Sequence, residues 1–184
     1  MSRGSTMSIT KKQTQLCDDM RWLNELLRLS PDISNVEPSL KTSHLEYAFN
    51  QLVRLGVLAN YLIIDELLSN IVCRLYFPRR SFIKLWKTKK FKNFNYYILE
   101  NIYLIQKANL IRSHSKMPTT IFNDIQELNS LRNAIAHSFF PENRRIKPVW
   151  KKKDIFTKEG FDSFWEDTNR VSNYLMKQGL KGYF

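Results

Sequence analysis

The sequence predicts an all-α fold, a bundle of about five to six helices with a small irregular or β-hairpin excursion before the last one. Three observations carry this. Apolar residues recur at spacings of three and four over most of the 184 residues. Only 5 glycines and 6 prolines occur, few for an all-β chain that must turn many times. The prolines fall between periodic segments and not inside them. An apolar fraction of 43% and an aromatic fraction of 13% are enough for a real core and unlike a disordered chain.

Residues 1–8 read as a flexible leader and 9–184 as a single helical domain. Leu16, Met20, Leu23, Leu26 and Leu27 place an amphipathic helix in 9–29, and SPDISNVEPS breaks it with two prolines. From Leu40 to Tyr76 a long helical stretch carries Leu45, Phe49, Leu52, Val53, Leu58, Leu62, Leu67, Ile71 and Leu75, with Gly56 as a point of kinking or division. Pro78 disfavours helix in the residue before it and closes the stretch. A short helix is expected over 80–87 and a longer one, rich in Tyr and Phe, over 91–112, with SHSKMP as a loop. Thr119 or Thr120 is placed to cap a helix running to about Phe140, where Pro141 ends it. The basic segment ENRRIKPVWKKKDIF is expected to hold two short strands, around Val149 and Ile155. Thr157 then caps a final helix in TKEGFDSFWEDTNRVSNYLM.

The charge balance is 29 Lys plus Arg against 17 Asp plus Glu, a net +12. That suits a polyanionic partner such as a nucleic acid, although solubility alone also favours basic surfaces. Cys17 and Cys73 belong to no metal-spaced or CxxC pattern. No cluster of His, Cys and carboxylates has metal-ligand spacing, and no glycine-rich phosphate loop occurs, so neither metal nor cofactor is expected. The longest nearly apolar run, LGVLANYLII, is too short to span a bilayer and leads into Asp65 and Glu66. A cytoplasmic, soluble protein with no membrane partner is the expectation.

One stretch concentrates chemistry: ELNSLRNAIAHSFF, residues 127–140. At 100° per residue, Ile121, Ile125, Leu128, Ile135 and Phe139 form a core stripe, and Arg132 falls inside it. Gln126, Asn129, Asn133 and His137 form a polar stripe beside it. An arginine on a core-facing line is costly unless it is paired or the stripe opens into a cleft or interface. Asn133 and His137, four apart, are neighbours on one face. Arg132 and His137, five apart, lie about 140° around the helix and roughly 7.5 Å along it. Ala134 and Ala136 keep the surface between them low. The bland reading is a helical scaffold in which Arg132 and His137 are structural.

LRNAIAH is similar to the Arg-x4-6-His signature of the HEPN superfamily, whose first variable position is often Asn. The helical lead-in DIQELNSL, the long helices upstream and the terminal helix after a short excursion resemble that family over most of residues 40–178. The resemblance implies a compact HEPN-like helical domain, commonly a homodimer. It also implies a metal-independent endoribonuclease of toxin or defence type, with an antitoxin or regulatory protein as a further partner. The alternative it carries is a non-catalytic HEPN module that binds RNA or nucleotides or regulates a partner protein.

The implied chemistry is attack of an RNA 2′-hydroxyl on the adjacent phosphorus. Imidazole is the side chain best suited to exchanging a proton at physiological pH, so His137 takes the proton-transfer role. Arg132 offers a fixed fork of donors for the phosphate, and Asn133 orients the histidine or holds the backbone. One histidine leaves the second proton transfer unassigned; a dimer bringing two motif helices together supplies it. Glu66, with Asp65 beside it, is the candidate carboxylate to aim or neutralise Arg132, against the reading that it merely edges its helix.

Two basic segments are candidate RNA tracks. RRSFIKLWKTKKFKNF interleaves seven cations with Phe82, Trp86, Phe91 and Phe94, a pattern that also reads as an amphipathic helix with solvated lysines. NRRIKPVWKKKD, with Arg144, Arg145, Lys151, Lys152 and Lys153, is favoured because it follows the motif directly. HEPN toxins silenced by a partner nucleotidyltransferase commonly carry a modifiable tyrosine two residues after the histidine. Here Phe139 has no hydroxyl, which puts that mode of neutralisation in doubt.

Overall fold

A computed structural model describes residues 42–78, 82–137, 145 and 147–180. The expected leader 1–8, the helix of 9–29, Phe139 and Arg144 lie outside the described residues. Contacts group the chain into two compact units, residues 1–47 and 48–184. Of the first, only Thr42–Tyr47 is described, as the opening turns of a helix.

The described chain is mostly helical, 78% of it, with a small two-stranded antiparallel hairpin before the last helix. The order is α1 (Thr42–Tyr76), α2 (Phe82–Leu85), α3 (Lys89–Tyr97), a 3₁₀ turn (Leu99–Asn101), α4 (Leu104–His114), α5 (Thr119–Ala136), β1 (Val149–Trp150), β2 (Lys153–Asp154) and α6 (Lys158–Leu180). This is the expected all-α architecture with its excursion in the expected place.

Helix α1 runs unbroken through Gly56. That glycine answers a close approach: a Cβ there would lie 2.7 Å from Cζ of Phe161 in α6. The helix buries Val53, Val57, Ile64, Leu68 and Val72, whereas Leu62 is 66% exposed. Of the apolar residues expected along this helix, Val53 and Ile71 are buried while Leu62 and Leu75 are exposed. Apolar residues occupy nearly every side of this helix, so periodicity alone does not select the buried one. The Val53–Tyr76 part is also long and apolar enough, by length and composition, to cross a membrane, unlike the shorter run read from sequence. Within it Asp65 meets the buried Lys107 of α4, 2.8 Å from each carboxylate oxygen.

The single helix expected over 91–112 is two, α3 and α4. Thr88 caps α3 through Phe91 N–H, and Asn101 donates to the Tyr96 carbonyl at its far end. Gln106 then accepts from the Tyr103 N–H to start α4, so side chains satisfy backbone groups on both sides of the break. Phe91 and Phe94 of α3 pack edge-on against Phe77. The residue preceding α5 is Pro118, not a capping threonine, and α5 ends at Ala136, with His137 as its cap and not a residue near Phe140.

In the hairpin Val149 pairs with Asp154 and Trp150 with Lys153. The second strand thus stops just before the expected Ile155, which is fully buried in the core. Lys151 and Lys152 turn the chain with φ of 46° and 71°, the left-handed region that a two-residue hairpin of this hand demands. Thr157 accepts from the Gly160 N–H, the expected cap of α6. Gly160 is obligatory, because a Cβ there would sit 1.9 Å from the Asp154 carbonyl oxygen. Trp150 and Phe164 meet at right angles in the core, rings 5.2 Å apart, tying hairpin to α6.

Candidate functional site

The motif occupies the C-terminal end of α5. Ile121, Ile125, Leu128 and Ile135 are buried as the helical arithmetic expects, and Leu131 joins them at 2% exposure. Arg132 is not in the core. Its position lies on the line of the stripe, yet it is half-buried, and its guanidinium lies over the Tyr61 ring of α1, 5.1 Å from the centroid. The same guanidinium donates from Nη1 to Asn133 Oδ1 at 3.1 Å. The apolar and aromatic surface of Tyr61 is what makes the position tolerable for a cation.

The Asn133 side chain holds Arg132, while its backbone makes the ordinary helical bond to His137, whose N–H the Asn133 carbonyl accepts at 3.2 Å. His137, just past the last helical residue, is exposed, and its imidazole has no hydrogen-bond partner among the described residues. Arg132 and His137 thus reach the surface at one helix end.

Neither carboxylate expected to support Arg132 bonds to it. Asp65 is engaged by Lys107, and Glu66 is exposed with no partner among the described residues. Tyr61 and Lys107 are the residues that sequence reasoning missed. Tyr61 sits four residues before Asp65, hence on the same side of α1. Lys107 stands among Leu104, Ala108 and Ile111 on the buried side of α4, an isolated cation on an apolar face. Burial raises the Tyr61 phenol above its ordinary value, the charge of Asp65 adds to this, and Arg132 opposes it. The phenol is therefore neutral at working pH. Tyr61, Leu62, Asp65, Glu66, Tyr103 and Lys107 line a groove of about 580 Å³. A second groove, about 360 Å³, runs along the motif helix past Glu127, Leu131, Ala134 and Pro148.

The favoured basic segment is placed differently from its position in sequence. Lys151 donates its backbone N–H to Glu127, and its ammonium lies 2.8 Å from Asp124 and 2.6 Å from Asp167. Glu127 is ten residues, roughly 15 Å, back along α5 from His137, so the hairpin tip packs beside the middle of the motif helix. Arg170 joins the same two acids at 2.7 and 2.6 Å, and the Trp150 indole donates to Asp167. Burial pushes the Asp167 carboxyl upward, but the hydrogen bonds from Lys151 and Trp150 and the two cations outweigh it and hold it below its ordinary value. Lys153 pairs with Glu159 at 2.9 Å. Arg145 and Lys152 are exposed without an ion pair among the described residues.

Among the described residues no group of three His, Cys, Asp or Glu side chains is placed to hold a metal. No family model matches the chain, and no curated protein or solved structure was found to be similar to it.

Proposed function

We propose that the protein is a HEPN-type, metal-independent endoribonuclease, cytoplasmic, acting as a homodimer and serving as a toxin or defence effector under the control of an antitoxin or regulatory protein. The observation that supports this most is the joint surface display of Arg132 and His137, with Arg132 held by the Asn133 side chain. A long cation resting on an aromatic ring keeps its orientation while leaving its outer donors for a phosphate.

In this reading the 2′-oxygen forms a bond to phosphorus as the bond to the 5′-oxygen breaks. An imidazole accepts the 2′-hydroxyl proton, and a second imidazole donates a proton to the leaving oxygen. Arg132 stabilises the charge on the non-bridging oxygens. The products are a 2′,3′-cyclic phosphate and a 5′-hydroxyl. Each protomer brings one motif histidine, so both transfers require two motif helices at one phosphate.

The test is incubation of purified protein with single-stranded RNA and transfer RNA in EDTA. Cleavage is expected, lost in His137→Ala and Arg132→Ala. Absence of cleavage, or cleavage unchanged in His137→Ala, overturns the proposal.

A further inference from the structure

Residues 67–99 contain eight cations and no acid, in a chain whose whole net charge is +12. The fold sorts the side chains of this interval. Phe91 and Phe94 turn inward, at 1% and 9% exposure, and are consumed by the contact with Phe77. Lys84, Lys87, Lys89, Lys90 and Lys92 are all exposed, and none forms an ion pair among the described residues. Trp86, Tyr96 and Tyr97 stand exposed among them, at 51%, 62% and 69%.

The helical geometry of α3 gives three of these residues a common face, with Lys90 and Tyr97 on the adjoining side. At 100° per residue, Lys89, Lys92 and Tyr96 lie within about 60° of one another, opposite the buried phenylalanines. Lys92 and Tyr96 are i,i+4 neighbours, as are Asn93 and Tyr97. Tyr96 and Tyr97 meet edge to face, ring centroids 4.8 Å apart, and Trp86 is braced edge-on against Phe91 at 5.0 Å. Each aromatic thus has a supported ring and a solvent-facing surface; Lys87 adjoins Trp86 in sequence and Lys92 lies one turn from Tyr96.

From this we infer that the α2–α3 arm is a binding track for single-stranded RNA, its lysines taking phosphates and Trp86, Tyr96 and Tyr97 stacking unpaired bases. Cationic grooves with exposed aromatic rings are the general solution for single strands, since every base offers a π-face and every nucleotide a phosphate. An anionic membrane is the weaker fit, because the apolar side of α3 is already buried in the protein. Glu66 and Glu100 line the neighbouring groove, whose negative charge disfavours a phosphate there. The inference rests on the RNA-directed reading above and names where the strand is held; it does not depend on cleavage.

The experiment uses full-length His137→Ala protein and fluorescence anisotropy with a labelled 20-nucleotide mixed-sequence RNA over a range of salt. Lys89→Glu/Lys92→Glu is expected to weaken binding at least tenfold and to flatten the salt slope by about 1.4, two contacts' worth for a single strand. Lys116→Glu/Lys177→Glu, the same charge change elsewhere, should have much less effect. Tyr96→Ser/Tyr97→Ser should weaken binding at least about fivefold with the slope retained. Equal losses in both charge variants, full binding by the tyrosine variant, or equal affinity for duplex RNA would overturn the track. So would binding to vesicles of phosphatidylserine and phosphatidylcholine that RNA fails to displace. RNA binding through the arm without cleavage by wild type sinks the nuclease reading alone. Cleavage at sub-saturating RNA that Lys89→Glu/Lys92→Glu leaves unchanged sinks the track alone.

Discussion

Lys107 and Asp65 form a two-pronged ion pair, with the ammonium 2.8 Å from both carboxylate oxygens and the lysine only 5% exposed. The pair joins α4 to α1 immediately behind Tyr61, the ring on which Arg132 rests. Removing one partner leaves the other poorly solvated without its counter-charge, which costs more than the pair contributes. Lys107→Met is expected to lose about 2–4 kcal/mol, and Lys107→Met combined with Asp65→Asn to recover most of it. Urea denaturation of the two single variants and the double variant measures this.

The network of Asp124, Lys151, Asp167 and Arg170 makes stability depend on acid. The Asp167 carboxyl titrates lower in the folded protein than in the unfolded chain. Its contribution is therefore complete above the ordinary carboxylate range and is lost as pH falls through the depressed folded value. Asp167→Asn should cost roughly 1–2 kcal/mol at pH 7, and the gap from wild type should narrow below about pH 4. Denaturation curves at pH 7 and pH 3 test the sign; a gap that widens in acid contradicts it.

The two turn lysines should respond to glycine in opposite directions. Both occupy left-handed backbone, which costs a side-chain-bearing residue about 1–2 kcal/mol, part of which glycine gives back as unfolded-chain entropy. Lys152 has no ion pair among the described residues, so Lys152→Gly should raise stability by roughly 0.5–1 kcal/mol. Lys151→Gly relieves the same backbone but abandons Asp124 and Asp167, and should lower it. Thermal melts of the two variants give the comparison directly.

The centre of the motif helix's inward face was legible because Ile121, Ile125, Leu128 and Ile135 fall on one line; its width was not, since Phe122, Asp124 and Leu131 are buried beside it. The face of α1 was not, because Leu62 and Ile64 are equally apolar and only the packing partners choose between them. The supports of Arg132 were also hidden. Tyr61 is 71 residues away in sequence, the expected Glu66 is exposed without a partner among the described residues, and Asp65 beside it is captured by a lysine 42 residues on. Adjacency in sequence misled for the hairpin as well, since Lys151 folds back along α5 to Glu127 and Asp124.

Two glycines should differ in severity for a reason visible in what they face. At Gly56 an added Cβ meets the edge of the Phe161 ring, 2.7 Å away, and a ring can tilt. Gly56→Ala should cost about 1–3 kcal/mol. At Gly160 the obstacle is the Asp154 carbonyl at 1.9 Å, held by the Thr157 hydroxyl that also caps α6. Gly160→Ala should therefore cost more than Gly56→Ala and free the hairpin, seen as increased amide exchange over 149–157.

Arg132 lies over the Tyr61 ring, so under the proposed chemistry the ring, and not the hydroxyl, is what orients the guanidinium. Burial and Asp65 keep the phenol neutral, so it has no charged role to lose, and no hydrogen bond from its hydroxyl is found among the described residues. Under the proposed chemistry Tyr61→Phe should leave RNA cleavage and its pH profile unchanged. Tyr61→Ala removes the surface that orients the guanidinium and should lower cleavage roughly tenfold, a misplacement effect. Arg132→Lys keeps the charge but loses the planar fork, and should cost roughly 10²-fold or more. Single-turnover cleavage assays on the three variants separate these effects. A Tyr61→Phe defect as deep as that of Tyr61→Ala would move the role from the ring to the hydroxyl and break the argument.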